Sequence, residues 1–363
     1  MTKNCEEFMN RSSFLRSALV VASCLPALAA AVPTYTAIDL GTLGGMTTGL
    51  GINASGQVTG ESRQVGGDHA FLYSGGTMTD LGTLGGTSSV GFGINASGQV
   101  TGQYTQVGSD RHAFLYSGGT MTDLGTLGGA YSLGHSINAG GQVVGWSHTT
   151  DFTERAFLYS GGTMTDLGTL GGVESRATGI NSLGQITGSS STTDASRHAF
   201  LYSGSIMTDL GTLGGTYSAG WGINASGQVT GFSSTIGEAS WHAFLYFIGI
   251  MTDLGTLGGT YSDGKGINAL GQVVGTSNIS GDADYHAFLY SDGLMYDLND
   301  LLSPGIGTTL TDAHGINDSG QIVANGNNGH AYLLTPDPVP EPGSLLLLAT
   351  ALGSVFGLRR KQQ

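Results

Sequence analysis

Along most of the chain, short apolar runs alternate with clusters of Gly, Ser, Asn and Asp, and the runs recur in a fixed order. The runs are short and β-prone, and nowhere in the unit is there the 3.6-residue period of a helix. One unit reads Phe92-Gly-Ile-Asn95, Ala-Ser-Gly, Gln99-Val-Thr-Gly102, a variable loop, His112-Ala-Phe-Leu-Tyr116, Ser117-Gly-Gly-Thr120, and then Met121 to Leu124. Asn, Ser and Gly between two such runs is hairpin chemistry, with Gly98 free to take the positive φ of a three-residue loop. The pattern predicts four short antiparallel strands per unit.

The Asp of the Asp-Leu-Gly segment falls at Asp39, Asp80, Asp123, Asp166, Asp209, Asp253 and Asp297, in steps of 41 to 44 residues. The Ile-Asn pair occurs seven times, from Ile52 to Ile316, and the Ala-aromatic-Leu segment seven times, from Ala70 to Ala331. Four strands at this period are the size of one propeller blade, so the expectation is an all-β, seven-bladed β-propeller over residues 32–335. Only a lone fourth strand, Tyr35 to Gly45, precedes the first hairpin, and the last unit stops at a third strand, His330 to Leu334. The N-terminal strand would then complete the final blade and close the ring, removing both open edges. An open β-solenoid is the alternative, and it leaves this complementarity of the two ends unexplained.

The flanks differ in kind. Residues 1–31 read as a signal peptide: Lys3, Arg11 and Arg16, an apolar stretch from Ser17, and a cleavage site for signal peptidase at Ala29 and Ala31. The apolar stretch is short for a membrane span. Val21-Ala22-Ser23-Cys24 offers lipidation as an alternative, although the apolar run continues past Cys24. At the other end, residues 336–344 form a stiff Pro-rich linker, and residues 345–363 an apolar helix with a basic stop. That helix is short, which suits transient anchoring in a membrane.

Val339-Pro340-Glu341-Pro342, an apolar run, and then Arg359, Arg360 and Lys361 resemble the PEP-CTERM sorting signal of exopolysaccharide-producing Gram-negative bacteria. The resemblance implies recognition by an exosortase, removal of the tail, and release or attachment at the cell surface. The body resembles the HAF-repeat family of bacterial extracellular proteins, through His-Ala-Phe at His69, His112, His198, His242 and His286. Arg155 replaces the His in one unit and Tyr332 the Phe in the last. This second resemblance implies an extracellular protein and no particular activity.

Composition narrows the function. The formal net charge is −14, with 12 basic and 26 acidic residues, which argues against nucleic acid as a partner. Cys5 and Cys24 are the only cysteines and both precede the repeats, so the body has no disulfide, thiolate nucleophile or Cys-based metal site. The 64 Gly recur at fixed places in the unit, which marks turns and close strand packing rather than disorder.

The repeated Asp residues are expected to accept backbone N–H bonds in the turn that follows each of them. Asp282 and Asp284 alternate in a loop and are weak candidates for structural calcium; otherwise no cofactor is expected. The informative positions are those that the repeat leaves free. Leu50, Phe92, His135, Thr178, Trp221, Lys265 and His314 precede Gly-Ile-Asn or its equivalent, and Glu61, Gln103, Trp146, Ser189, Phe232, Thr276 and Asn325 follow Val-x-Gly or its equivalent. Ring closure would gather them near one rim. Aromatic faces among polar groups suit sugars, so Phe92, His135, Trp146, Trp221, Phe232, Trp241, Lys265 and His314 are the candidate ligand rim; for the Trp residues, filling gaps between blades is the competing role. Glycan hydrolysis needs two placed carboxylates, and spacing singles out no pair among Glu61, Asp151, Glu154, Glu238 and Asp263. The expectation is a non-catalytic surface or biofilm-matrix protein that binds exopolysaccharide. A purely structural scaffold, or a secreted polysaccharide hydrolase or lyase, is the alternative.

Overall fold

The computed structural model describes residues 33–338, except Ser109. The signal peptide, the sorting residues Val339 to Pro342 and Arg359 to Lys361, and the C-terminal apolar helix lie outside the described residues. Residues Thr34–Asp337 form one compact unit, the body. Its 28 strands fall into successive antiparallel groups of four, and it contains no α-helix. The first six groups, called units below, are β2–β5 (Thr47–Asp80), β6–β9 (Ser88–Asp123), β10–β13 (Gly128–Asp166), β14–β17 (Gly171–Asp209), β18–β21 (Gly214–Asp253) and β22–β25 (Gly258–Asp297). The last group takes β26–β28 (Leu310–Pro336) from one end of the chain and β1 (Tyr35–Asp39) from the other. β1 runs antiparallel to β28, with Tyr35 opposite Pro336 and Asp39 opposite Tyr332. The last strand thus runs two residues past Leu334, and Asp337 accepts hydrogen bonds from the Thr34 and Thr36 hydroxyls, so the Pro-rich linker begins later than its composition indicates.

The apolar alternation builds the core. In each His-Ala-Phe segment, Ala and Phe are fully buried; Phe114 packs with Val100, which opens its unit's second strand, and Ala113 with Val143 of the next unit. Burying one such ring contributes about 1.5–3 kcal/mol, and Phe114→Ala would cost about 3–5 kcal/mol. Neighbouring units are joined by buried Ser: the Ser132 hydroxyl accepts from Ala113 N and donates to Gly125 O.

A ladder of Asn side chains runs through the first hairpins. Each Asn Oδ1 accepts two N–H groups of its own loop, as Asn95 does from Ser97 and Gln99. Each Nδ2 donates to the carbonyl of the next Asn, from Asn53 through Asn95, Asn138, Asn181, Asn224 and Asn268 to Asn317, at 2.9–3.3 Å. Asn317 then donates to Asn53 O at 3.0 Å, so the ladder returns to its start. These side chains are buried, and an unpaired amide there would cost about 1–3 kcal/mol.

The expected role of the repeated Asp is observed. Asp39, Asp80, Asp123, Asp166, Asp209 and Asp253 each accept the N–H of the Gly two residues on. All but Asp166, whose unit has Arg155 instead, also face a His of the repeat, as at Asp123 and His112, 2.9 Å apart. After the second to fifth units the Gly-Gly pair that follows the Asp opens the first strand of the next unit and is not part of the turn. A side chain at Gly129 would lie 2.5 Å from His148 Cβ, so only Gly allows the strand to start there.

Candidate ligand-binding site

The variable position before Gly-Ile-Asn has one structural meaning in every unit. Strand pairing slips by one residue between Gly49 and Gly51, Gly91 and Gly93, Gly134 and Ser136, Ala177 and Gly179, Gly220 and Gly222, Gly264 and Gly266, and Ala313 and Gly315. The residue left over is Leu50, Phe92, His135, Thr178, Trp221, Lys265 or His314. A β-bulge bends its strand and re-aims the extra side chain. Small residues flank each bulge because neighbouring chains come close: a Cβ on Gly220 would lie 2.2 Å from Thr187 Oγ1.

Six of these seven side chains, with Asp263, line one cavity of about 400 Å³. Leu50, Phe92, His135 and Trp221 form an apolar and aromatic wall. Phe92 stacks on His135 with ring centroids 5.6 Å apart, and His135 meets Trp221 at 5.7 Å. His135 Nδ1 lies 2.8 Å from Thr178 O, and burial lowers its pKa to about 4, so the ring is neutral at physiological pH.

The opposite wall is ionic. His314 Nε2 lies 2.8 Å from Asp312 Oδ1, and Lys265 Nζ lies 3.3 Å from the same His nitrogen and 3.8 Å from the same oxygen. Asn325 Nδ2 also donates to Asp312. Burial acts to raise the Asp312 pKa, but His314, Lys265 and Asn325 outweigh it and hold the carboxyl well below the usual range. Burial and the Lys265 charge lower His314. Asp263 is 5% exposed, and burial pushes it up to about 7 against the pull of Lys265 and the Trp221 side chain.

Four buried polar atoms in or beside the cavity lack hydrogen-bond partners: Asp263 Oδ1 and Trp221 Nε1, on residues that line the cavity, and Thr276 Oγ1 and Asn278 Oδ1, on the neighbouring strand outside its lining; the Trp221 N–H is still near enough to Asp263 to pull its pKa down. Thr276 sits opposite Asp263 in register, and Asn278 follows two residues later, on the same face of its strand.

Of the candidate rim, the cavity gathers Phe92, His135, Trp221, Lys265 and His314. Phe232 lies beside it, 6.4 Å from Trp221, and Trp241 one step further, 5.6 Å from Phe232. Trp146 is not part of it: its ring lies under the Arg176 guanidinium at 5.2 Å and beside His148. Asp282 is engaged by Thr260, whose N–H and hydroxyl both donate to it. Among the described residues no group of three or more His, Cys, Asp or Glu could hold a metal ion, and no helix is long and apolar enough to cross a membrane. Of the other carboxylates, Glu154 pairs with Arg176, Glu238 accepts from Thr216, and Asp151 accepts from Thr149 and Thr153. Asp263 is named in the sequence only as one carboxylate among several, and Asp312 not at all. Both stand two residues before a bulge position, a spacing that puts them on its side of the strand.

Residues 338–361 match the PEP-CTERM protein-sorting motif. The chain carries an exosortase sorting signal. That signal indicates an exported protein of the Gram-negative cell surface and implies processing by an exosortase. No curated protein matches the chain.

Among solved structures, the body is similar to a catalytically inactive virginiamycin B lyase of Staphylococcus aureus with quinupristin (12% identity, 83% of this chain and 99% of that one, TM-score 0.54). It is also similar to YCF48 bound to D1 peptide (11%, 86% and 99%, TM-score 0.54). A third likeness is to a puromycin-hydrolysing peptidase of Mycobacterium tuberculosis (11%, 82% and 53%, TM-score 0.53). At such identities these likenesses speak to a propeller-like, all-β fold alone.

Proposed function

We propose that this exported protein is a closed seven-bladed β-propeller of the HAF-repeat kind that binds exopolysaccharide, without catalysis, through the cavity at its bulge positions. The pairing of β1 with β28 and the return of the Asn ladder to Asn53 support closure.

The observation that carries the ligand class is the set of unpartnered atoms, read with its charges. A cation would suit Asp263 and the neighbouring Thr276, but Lys265 opposes it and it offers nothing to the Trp221 N–H. An anion would suit Lys265 and Trp221 and leave the acceptors bare. Hydroxyl groups donate and accept, so a polyol satisfies both kinds, and the Phe92 and Trp221 faces suit the apolar face of a sugar ring. The cavity volume falls within the roughly 300–1,000 Å³ of small-molecule pockets.

Trp fluorescence of the mature protein titrated with fragments of the producing cells' exopolysaccharide tests this. A saturable change that is lost in Trp221→Phe supports binding at the cavity. No change with any fragment leaves a structural scaffold of the surface or biofilm matrix as the better account. A second reading is favoured by one observation: Asp263 and Asp312 both approach Lys265 with pKa values pushed apart, the arrangement of an acid and a base. Release of new reducing ends or unsaturated products on incubation with polysaccharide would establish that hydrolase or lyase.

A further inference from the structure

We infer that the cavity takes the end of a glycan chain rather than its interior, and that aromatic rings over the fifth unit hold the sugars next to that end. This rests on saccharide binding at the cavity and adds the direction of the chain.

The first observation is that the side chains lining the cavity touch one another across neighbouring units and constrict it. His135 comes from the third unit and Trp221 from the fifth, yet their rings meet at 5.7 Å, past Thr178 of the fourth. Phe92 stacks on His135, and Lys265 reaches His314. A second cavity, of about 250 Å³, is lined by the same bulge residues and by the Gly-Ile pairs that follow them. The bulge side chains therefore stand where the two cavities adjoin, and their mutual contacts narrow the passage between them. A chain that enters the cavity meets this constriction at Trp221 and His135.

The second observation is a path leading away from the axis. Trp221 lies on β18 (Gly214–Ile223), Phe232 on β19 (Val229–Thr235) and Trp241 on β20 (Trp241–Phe247), successive strands of one sheet. Neighbouring strands lie about 4.8 Å apart, so the rings step outward. Tyr217 joins them, 5.6 Å from Phe232 and 5.3 Å from Trp241. All four residues are half-buried. The sixth unit has Lys265, Thr276 and Tyr285 at the positions of the first three, so this row of rings belongs to the fifth unit's own sequence.

The test uses mature protein from the cell surface and the producing cells' exopolysaccharide, intact and after limited acid hydrolysis, as competitors for binding. Recognition of ends predicts that potency per mass rises in proportion to the ends created. Potency that is unchanged or lower after hydrolysis overturns the inference and leaves saccharide binding standing. Absence of binding by either form overturns both. Trp241→Ala should weaken binding of longer oligomers roughly two- to ten-fold and leave the monosaccharides of a full hydrolysate unaffected. Equal losses for both would place Trp241 in the cavity wall and overturn the path. If Trp241→Ala does not fold, Phe232→Leu gives the same comparison with most of the ring's volume kept.

Discussion

Asp39 and His330 are 291 residues apart in the chain, and the Asp39 carboxylate lies 2.7 Å from His330 Nδ1. The same pair forms within single units, as at Asp80 and His69, so the two ends of the body together rebuild one repeat. The pair is half exposed, however, and such contacts contribute about 0–1 kcal/mol. The weight of the junction falls on the buried Asn317 side chain, which bonds Asn53 O, Gln321 Oε1 and the backbone N–H groups of Ser319 and Gln321. In thermal melts, His330→Ala should lower stability by at most about 1 kcal/mol. Asn317→Ala should lower it by about 2–4 kcal/mol, since several buried partners lose their bonds at once. Equal losses would show that the ends are held by the surface pair.

Within a unit the Asp carries the turn and the His supports the Asp. Arg155 stands in the His position of the third unit, yet Asp166 still accepts the Gly168 N–H at 2.8 Å. In the fourth unit, Asp209→Ala should therefore cost about 1–2 kcal/mol, with His198→Ala costing less. The reverse order in chemical denaturation would make the His the organising group.

The repeat, its strands and the junction of the ends are legible in the sequence because short β-prone runs at fixed places in a repeated unit leave few alternatives. The bulge residues are legible as the positions the repeat leaves free. What the sequence hides is their convergence. It depends on a one-residue slip in pairing, and Gly on either side of Trp221 or Lys265 is the only local trace of it. Trp146 looks equivalent to Phe232 in the repeat. Its surroundings are set by Arg176, a residue of the next unit, and no local pattern gives that contact. Asp312 is hidden for a similar reason, since its partners Lys265 and His314 come from two different units.

The cavity should show in the pH dependence of folding. Asp263 has a folded pKa of about 7 against an ordinary value of 3.8, so the folded state holds a proton that the unfolded state has lost. Its contribution makes stability fall as pH rises between those values and then level off. His135, at about 4 against 6.5, acts oppositely: stability rises with pH over its window, and His314 acts in the same direction. The two effects offset each other in the native protein. Asp263→Asn removes only the first, so the variant should gain on the native protein by a few kcal/mol between about pH 4 and 7. Urea denaturation across that range measures the gap, and a constant gap would contradict the burial of a titrating Asp263.

The sorting signal makes a separate prediction. Surface protein from producing cells should lack Leu345 to Gln363 by intact-mass measurement, and cells without exosortase should retain the tail. Unchanged mass in both strains would show that the motif at residues 338–361 is not processed.

In the proposed binding mode, hydroxyl groups of a saccharide meet the unpartnered atoms of Trp221 and Asp263. The most direct measurement is isothermal titration calorimetry of the mature protein with exopolysaccharide fragments, comparing native protein with Trp221→Phe. The substitution keeps an aromatic face and removes the N–H together with part of the ring. The account predicts saturable binding by the native protein, weakened roughly three- to ten-fold in the variant, with little change in melting temperature. Native binding that is absent, or that is equally tight in Trp221→Phe, would contradict it.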